Sequence, residues 1–397
     1  MRRIPYSVGR AVFAGLLVSA VLAPAACAAS FNVLYAFKGG SDGANPQGGV
    51  TADASGNLYG STQSGGGAQA CTNNQGCGTV FKIAPNRTET VLYASQSWYD
   101  TVGTNAQLLL DNQGNLYGTT YFGGNAFRGS AYKLGPNGAL TLLHSFAGGY
   151  DGQYPYAGLI MPNNKTTLYG ATPVCCEYAV PTVFSLTSGG SENVLYYFCS
   201  KKNCRDGDAP IGTLIADKAG NLYGTTLVGG KNGRGVVFKL TPSKVESVLW
   251  NFGGANDGVE PYAGLVVDTS GNFYGTTLSG GTSNAGTVYE LPPSHKEKVL
   301  YSFTGGADGG SPYFGSLIID SAGNLYGATS AGGANNLGAV FKVTPSGTET
   351  VLHSFAGVPD GQSPYGGLVA VNGVLYGTTA SGGTYGFGTV FSVSEAN

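Results

Sequence analysis

The chain has 397 residues, only 11 % of them charged, with a net charge of −2, 67 glycines and 25 tyrosines. Low charge with abundant aromatics excludes a disordered chain, and glycine without a three-residue period excludes collagen. No run of Lys or Arg exceeds two residues, so the basic footprint that nucleic-acid binding requires is missing.

Arg2, Arg3 and Arg10 precede or flank an apolar stretch from Ala11 to Val21, and Ala26-Cys27-Ala28 fits an A-x-A cleavage site. This pattern predicts a signal peptide over residues 1–28 and a secreted, periplasmic or cell-surface product. Its removal takes the net charge from −2 to −5. Cys27 also permits a lipid anchor, but Pro24 stands where a lipobox carries leucine, which makes cleavage the preferred reading. No other apolar stretch approaches the roughly 20 residues of a membrane span.

The folded part opens with "NVLYAF" (32–37), a strand-like phrase standing alone. A second phrase then returns seven times, from "GNLYGST" (56–62) and "GNLYGTT" (114–120) to "GVLYGTT" (373–379). Its glycines fall at Gly60, Gly118, Gly170, Gly224, Gly275, Gly327 and Gly377, spaced by 50 to 58 residues. Such a period lies close to one four-stranded propeller blade, roughly 40–50 residues. Each period holds four strand-like phrases in order, as in "GTLIAD" (212–217), "NLYGTT" (221–226), "GVVFKL" (235–240) and "VLWNF" (248–252). All are rich in Val, Leu, Tyr, Phe and Thr and bounded by turn residues. Asp53, Asp111, Asp217, Asp268 and Asp320 open D-x-x-G-N turns, which predict tight hairpins between the first and second strands.

The chain closes with a third-type phrase, "GTVFSV" (388–393), and lacks the fourth that stands alone at the start. The sequence therefore predicts an all-β, seven-bladed β-propeller over 29–397, with four antiparallel strands per blade and the N-terminal strand joining the last blade. Small residues opening the first phrases, Gly49, Ala106, Gly158, Gly212, Gly264, Gly315 and Gly367, are expected to crowd the axis.

The repeated tyrosines (Tyr59, Tyr117, Tyr169, Tyr223, Tyr274, Tyr326, Tyr376) are expected to pack between blades. His144 and His353 occupy the slot held elsewhere by Tyr35, Tyr93, Tyr196, Trp250 and Tyr301, and read as aromatic substitutes rather than bases. Asp42, Asp151, Asp206, Asp257, Asp308 and Asp360 each precede glycine in a loop from a fourth to a first strand. Alternating strands bring these loops to one face. Asp-Gly is a turn signal, and carboxylates on one rim could also meet sugar hydroxyls or Ca²⁺. One aspartate per loop is sparse for a cation taking six to eight oxygens, so neither a metal nor a cofactor is expected.

Six cysteines follow the leader, an even number suited to disulfides in an oxidising compartment. Cys71 and Cys77 bracket a short loop and are expected to bond. The third blade departs from the repeat twice, at "ATPVCCEYAVPTVF" (171–184) and "CSKKNCRDGDAP" (199–210). Either Cys175 or Cys176 bridges to Cys199 or Cys204, or Cys199 pairs with Cys204 beside a vicinal Cys175–Cys176 bond. Both arrangements would hold a candidate ligand patch of Lys201, Lys202, Arg205, Asp206 and Asp208.

Taken together, "P-x-x-GL", "D-x-x-GNLYGTT", "GTVFKL" and "VLYSF-GG-DG" resemble the GloVer tandem repeat of bacterial exported proteins over residues 31–397. The resemblance implies export and often a C-terminal surface anchor. The chain ends four residues after its last strand, so no anchor is expected here. The resemblance implies no catalytic residues.

Adjacent cysteines also occur in quinone-dependent propeller dehydrogenases, but those carry a tryptophan motif in nearly every blade. Here only Trp98 and Trp250 exist, in unlike places, and no Ser–His–acid order stands out. The expected function is a non-catalytic, monomeric scaffold that binds an extracellular glycan or protein through loops on one face. A structural surface protein and a propeller enzyme (lyase, hydrolase or quinone-dependent dehydrogenase) are the alternatives.

Overall fold

A computed structural model describes residues 29–67, 77–100, 102–103, 105–162, 166–173 and 179–395. The expected signal peptide, Cys27, Cys71, Cys175 and Cys176 lie outside the described residues. A regular blade is illustrated by the sixth, where Ile318–Ile319, Leu325–Thr329, Ala339–Val343 and Glu349–Ser354 form one antiparallel sheet in chain order. Six further sheets, one of them three-stranded and one five-stranded, vary this plan to give a seven-bladed propeller. Third strands are buried on both faces, as Val236–Leu240 shows, because each sheet is sandwiched between its neighbours.

The ring closes as the sequence predicts. Ser30–Ala36 pairs antiparallel with Thr389–Ser394, placing Phe31 opposite Val393 and Ala36 opposite Thr389. At the axis, Gly49 and Gly367 of neighbouring blades form a parallel bridge. A Cβ on Gly49 would lie 2.5 Å from the carbonyl oxygen of Gly367, so the innermost strands meet backbone to backbone.

The "YG" phrase has two separate causes. A Cβ on Gly224 would sit 2.8 Å from Phe238 Cζ, because the ring from the third strand lies across the glycine. The tyrosine packs into the seam with the next blade, as Tyr59 does against Val80, Leu116 and Tyr132. Its hydroxyl reaches back to the hairpin, Tyr59 donating to Asp53 at 3.0 Å. Asp53 also accepts from the backbone N–H groups of Ser55 and Asn57 and from the Asn57 amide. Burial pushes its pKa up, but these donors outweigh burial and hold it below the ordinary value. Asp111, Asp217, Asp268 and Asp320 repeat the arrangement.

Blade three departs from the four-strand expectation. Its first strand shrinks to a single bridge between Ile160 and Tyr169, leaving a three-stranded sheet. Pro162 stands where five of the other blades carry aspartate, whose N–H closes the hairpin in Asp320 N–H to Asn324 O. Proline has no N–H to donate, so the pairing stops early. Among the described residues, no helix is long and apolar enough to cross a membrane.

Candidate ligand-binding site

The six Asp-Gly aspartates do share one face, the loop face, and each carboxylate is already engaged by its own turn. Asp42 accepts from Tyr35 OH at 2.9 Å and from Lys38 N–H at 2.9 Å. Asp308 accepts from Tyr301 OH and Thr304 N–H. His144 and His353 take the tyrosine's part, their Nε2 atoms lying 2.9 and 2.8 Å from Asp151 and Asp360. This supports the aromatic-slot reading of both histidines. Asp257 accepts from the backbone of Gly253 and Gly254.

Asp100 completes the ring, bonded to Tyr93 OH at 2.5 Å. The sequence search for Asp-Gly missed it because threonine follows. The usable signal was spacing: partner and aspartate are seven residues apart in Tyr35–Asp42, Tyr93–Asp100, His144–Asp151 and Tyr301–Asp308.

A second set of carboxyls faces this ring across the blade seams. Glu89, Glu192, Glu246 and Glu349 begin fourth strands and Glu297 immediately precedes one, and each leaves one carboxyl oxygen buried without a partner. Burial first, and then repulsion from Asp42, pushes Glu89 up to about 7. Glu192 and Glu349 rise to about 7 and Glu297 to about 8, for the same pair of reasons. Glu246 is also raised by burial, although Lys201 Nζ lies 2.6 Å from it. At the last seam Phe31 replaces the glutamate and stacks on His353 with ring centroids 3.7 Å apart.

The charged patch expected on blade three is not assembled as one surface. Asp206 is fully buried and accepts from Tyr196 OH, Ser200 Oγ and two backbone N–H groups. Lys201 is tied to Glu246, and only Lys202 and Arg205 stand exposed without such ties. Cys199 and Cys204 form a disulfide across the Lys202–Cys204 turn, with Cα atoms 3.9 Å apart. This is the local one of the two expected pairings, and Cys175 and Cys176, which the other would use, lie outside the described residues. Asp208 places an oxygen within 4.8 Å of both sulfurs, but a bonded pair supplies no thiolates for a metal.

Where the blades converge, a different site emerges. Four blades carry a Pro-Tyr step just before the innermost strand: Pro155-Tyr156, Pro261-Tyr262, Pro312-Tyr313 and Pro364-Tyr365. Proline fixes the entering backbone, and the tyrosines turn to the channel mouth. Phe314 of blade six stacks on Tyr156 of blade three at 5.3 Å, bridging the mouth. Tyr262 stacks on Tyr313 at 4.5 Å, and Tyr313 meets Tyr365. On the other side, Tyr156 meets Tyr121 at 4.8 Å. Burial raises the hydroxyl pKa values of Tyr156 and Tyr262, so both remain neutral donors.

Opposite these rings, blades one and two contribute amides. Gln63 donates to Gln47 at 3.1 Å and to Asn105, and Gln107 donates to the Val50 carbonyl. Beneath Phe314 lies an axial cavity of about 270 Å³, whose wall includes Thr51, Asn105, Gln107, Thr213 and Ser316 and carries no charged side chain. None of these mouth residues stood among the sequence candidates. The recurring Pro-Tyr step was the signal that could have found them.

No curated protein matches the chain. Among solved structures it is similar to the extracellular domain of a candidate hybrid two-component system from B. thetaiotaomicron, at 11 % identity and a TM-score of 0.54. That match covers 93 % of this chain and 40 % of the other. It is also similar to a candidate 6-phosphogluconolactonase from Bacteroides uniformis, at 15 % identity and a TM-score of 0.50, covering 77 % and 85 %. At such identities the likeness shows the propeller fold alone. The Gloeobacter/Verrucomicrobia repeat matches residues 21–216 and again 210–397, and the chain belongs to that repeat family.

Proposed function

We propose that this chain is an exported binding module that holds an uncharged extracellular glycan at its aromatic mouth. The observation that carries this reading is the pairing of stacked rings (Tyr156, Phe314, Tyr262, Tyr313) with an amide wall over an uncharged cavity. Ring faces suit the C–H face of a pyranose, and amides suit its hydroxyls. A small number of placed polar groups in an otherwise apolar pocket is the usual design of a ligand site. A volume of about 270 Å³ lies near the lower end of such pockets and suits a single sugar ring. Export is supported by the leader-like N-terminus and by the extracellular setting named for one structural neighbour.

The aspartate ring has no part in this reading, because each carboxylate already closes its own loop turn and Asp257 Oδ1, left without a partner, is buried. Binding should therefore need no Ca²⁺. A glycan array probed with the mature protein, with and without EDTA, tests the proposal. Saturable, EDTA-insensitive binding that is lost in Phe314→Ser supports it. A wild-type protein that binds no glycan, or a folded Phe314→Ser variant that binds unchanged, overturns it.

A further inference from the structure

Rings do not stop at the mouth. Tyr121, in contact with Tyr156, stacks on Tyr154 at 4.7 Å and meets Phe122 at 4.6 Å. Phe122 is 52 % exposed and begins a blade-two loop that also presents Phe127, 45 % exposed. Phe127 packs at 4.7 Å against Tyr99, 54 % exposed, from the preceding blade's loop. The aromatic surface thus runs from the axis outward over the loops of blades one to three. Other exposed apolar side chains lie elsewhere: Val245 and Val267 belong to the opposite, hairpin face, and Val358, Tyr385 and Phe387 stand on the loops of blade seven.

Charges along this path are neutralised or occupied. Arg128 donates to Gln153, His144 faces Asp151, and Asp100 is held by Tyr93 and Ser97. A nucleic acid would also stack on rings but needs a positive groove to follow its phosphates, and none is present along these loops. Protein hot spots draw on tryptophan, tyrosine and arginine packed together near the centre of a desolvated patch, whereas the rings of this path are strung out along loops from the mouth.

Resting on the mouth as a glycan site, we infer that the loops of blades one to three carry an outer track for the same ligand, so that the protein binds an uncharged polysaccharide chain with one end at the mouth. Each further sugar would stack on another ring beyond Tyr156, and affinity should climb with chain length until the track is filled.

Calorimetric titration with cello-, laminari-, xylo-, manno- and malto-oligosaccharides of one to six units tests this. In at least one series affinity should rise with length. A Tyr99→Ser/Phe122→Ser/Phe127→Ser variant should lose tenfold or more for the hexamer while keeping the wild-type affinity for the shortest bound member. All three side chains are exposed, so folding should be retained, which a thermal melt checks. Length-independent affinity, or a hexamer bound equally by the triple variant, overturns the track and leaves the mouth standing. Failure of the wild-type protein to bind any series overturns both.

Discussion

On the hairpin face, five aspartates accept from an asparagine four residues on and a tyrosine six residues on, nearly atom for atom. On the loop face, the aspartates also close turns, yet the residues between them differ from blade to blade. Tyrosine donates to Asp42, Asp100, Asp206 and Asp308, and histidine faces Asp151 and Asp360. The mouth draws its rings from blades two, three, five, six and seven and its amides from blades one and two. Each hairpin is completed inside a single repeat, so it can be copied. A site at the axis is completed only between repeats, so it depends on how they differ.

The largest effect that separates the two regions should come from opening the ring. Deleting 30–36 removes the strand that pairs with Thr389–Ser394 and the Phe31 ring stacked on His353. The melting temperature should fall on the order of 10 °C or more, with larger species appearing by size exclusion. A truncated protein that melts like the parent would show that closure contributes nothing and that the blades hold together without it.

The next effect follows from the seam carboxyls. Glu89, Glu192, Glu297 and Glu349 bind their protons more tightly when folded than the ordinary glutamate value of 4.5 allows. Their stabilising contribution is complete below about pH 4.5 and is lost as pH rises through 7 to 8. The nearby groups are Asp42 and Lys38 for Glu89; Asp151, His144 and Lys244 for Glu192; Asp257 for Glu297; and Asp308 for Glu349. One proton between Asp257 Oδ1 and Glu297 Oε1 would satisfy two buried orphan oxygens. His353, lowered by burial, works in the opposite direction, but it is one group against four. The aspartates with lowered values, such as Asp53 and Asp308, lose their contribution only as pH falls below about 3.8. Stability should therefore peak near pH 4 to 5 and decline by several degrees toward pH 8. The slope should flatten in Glu89→Gln/Glu192→Gln/Glu349→Gln. A melting temperature that rises from pH 5 to 8 would show that these carboxyls ionise freely.

A smaller effect is expected at the glycine of the repeated phrase. Gly224→Ala forces a methyl against Phe238 and Leu214, and overpacking of this kind costs about 1–3 kcal/mol. Phe238→Leu should recover part of the loss when combined with it, giving a non-zero coupling in a denaturation double-mutant cycle. Additive losses would mean that the ring is not what excludes the side chain.

Much of the scaffold was legible because its determinants are local and repeated. The hairpin aspartates and the strand order could each be read within one period of the chain, and the closing strand by comparing its first and last phrases. Pro162 was visible too, but its consequence needed the hairpin hydrogen bond that it cannot donate. The mouth was not legible in the same way. Tyr156 and Phe314 are separated by three blades of chain and meet only because the circle closes. Pro-Tyr recurrence can be seen in the sequence, but nothing local says that those tyrosines share an axis. The blade-three charges were legible as a cluster but not in their partners: Lys201 lies close in sequence to Lys202 and Arg205, yet Glu246, 45 residues away along the chain, decides where it points.

The smallest expected effect is the one that most sharply separates the two candidate sites. Lys202 and Arg205 are exposed on the expanded blade-three loop, and surface substitutions away from buried partners usually change stability by no more than about 0.5 kcal/mol. Lys201 is left in place because its ion pair reaches a glutamate side chain with no exposure of its own. A Lys202→Glu/Arg205→Glu variant should therefore melt with the parent. If the mouth holds the ligand, glycan affinity should also stay within twofold, since the reversed charges lie on an outer loop and an uncharged ligand feels little of them. An anionic ligand at the blade-three loop would respond in the opposite way, with affinity falling steeply and the loss shrinking at high salt. Measuring the variant at two ionic strengths therefore decides between the sites: unchanged binding keeps the ligand at the rings, and a salt-dependent loss moves it to the loop held by Cys199 and Cys204.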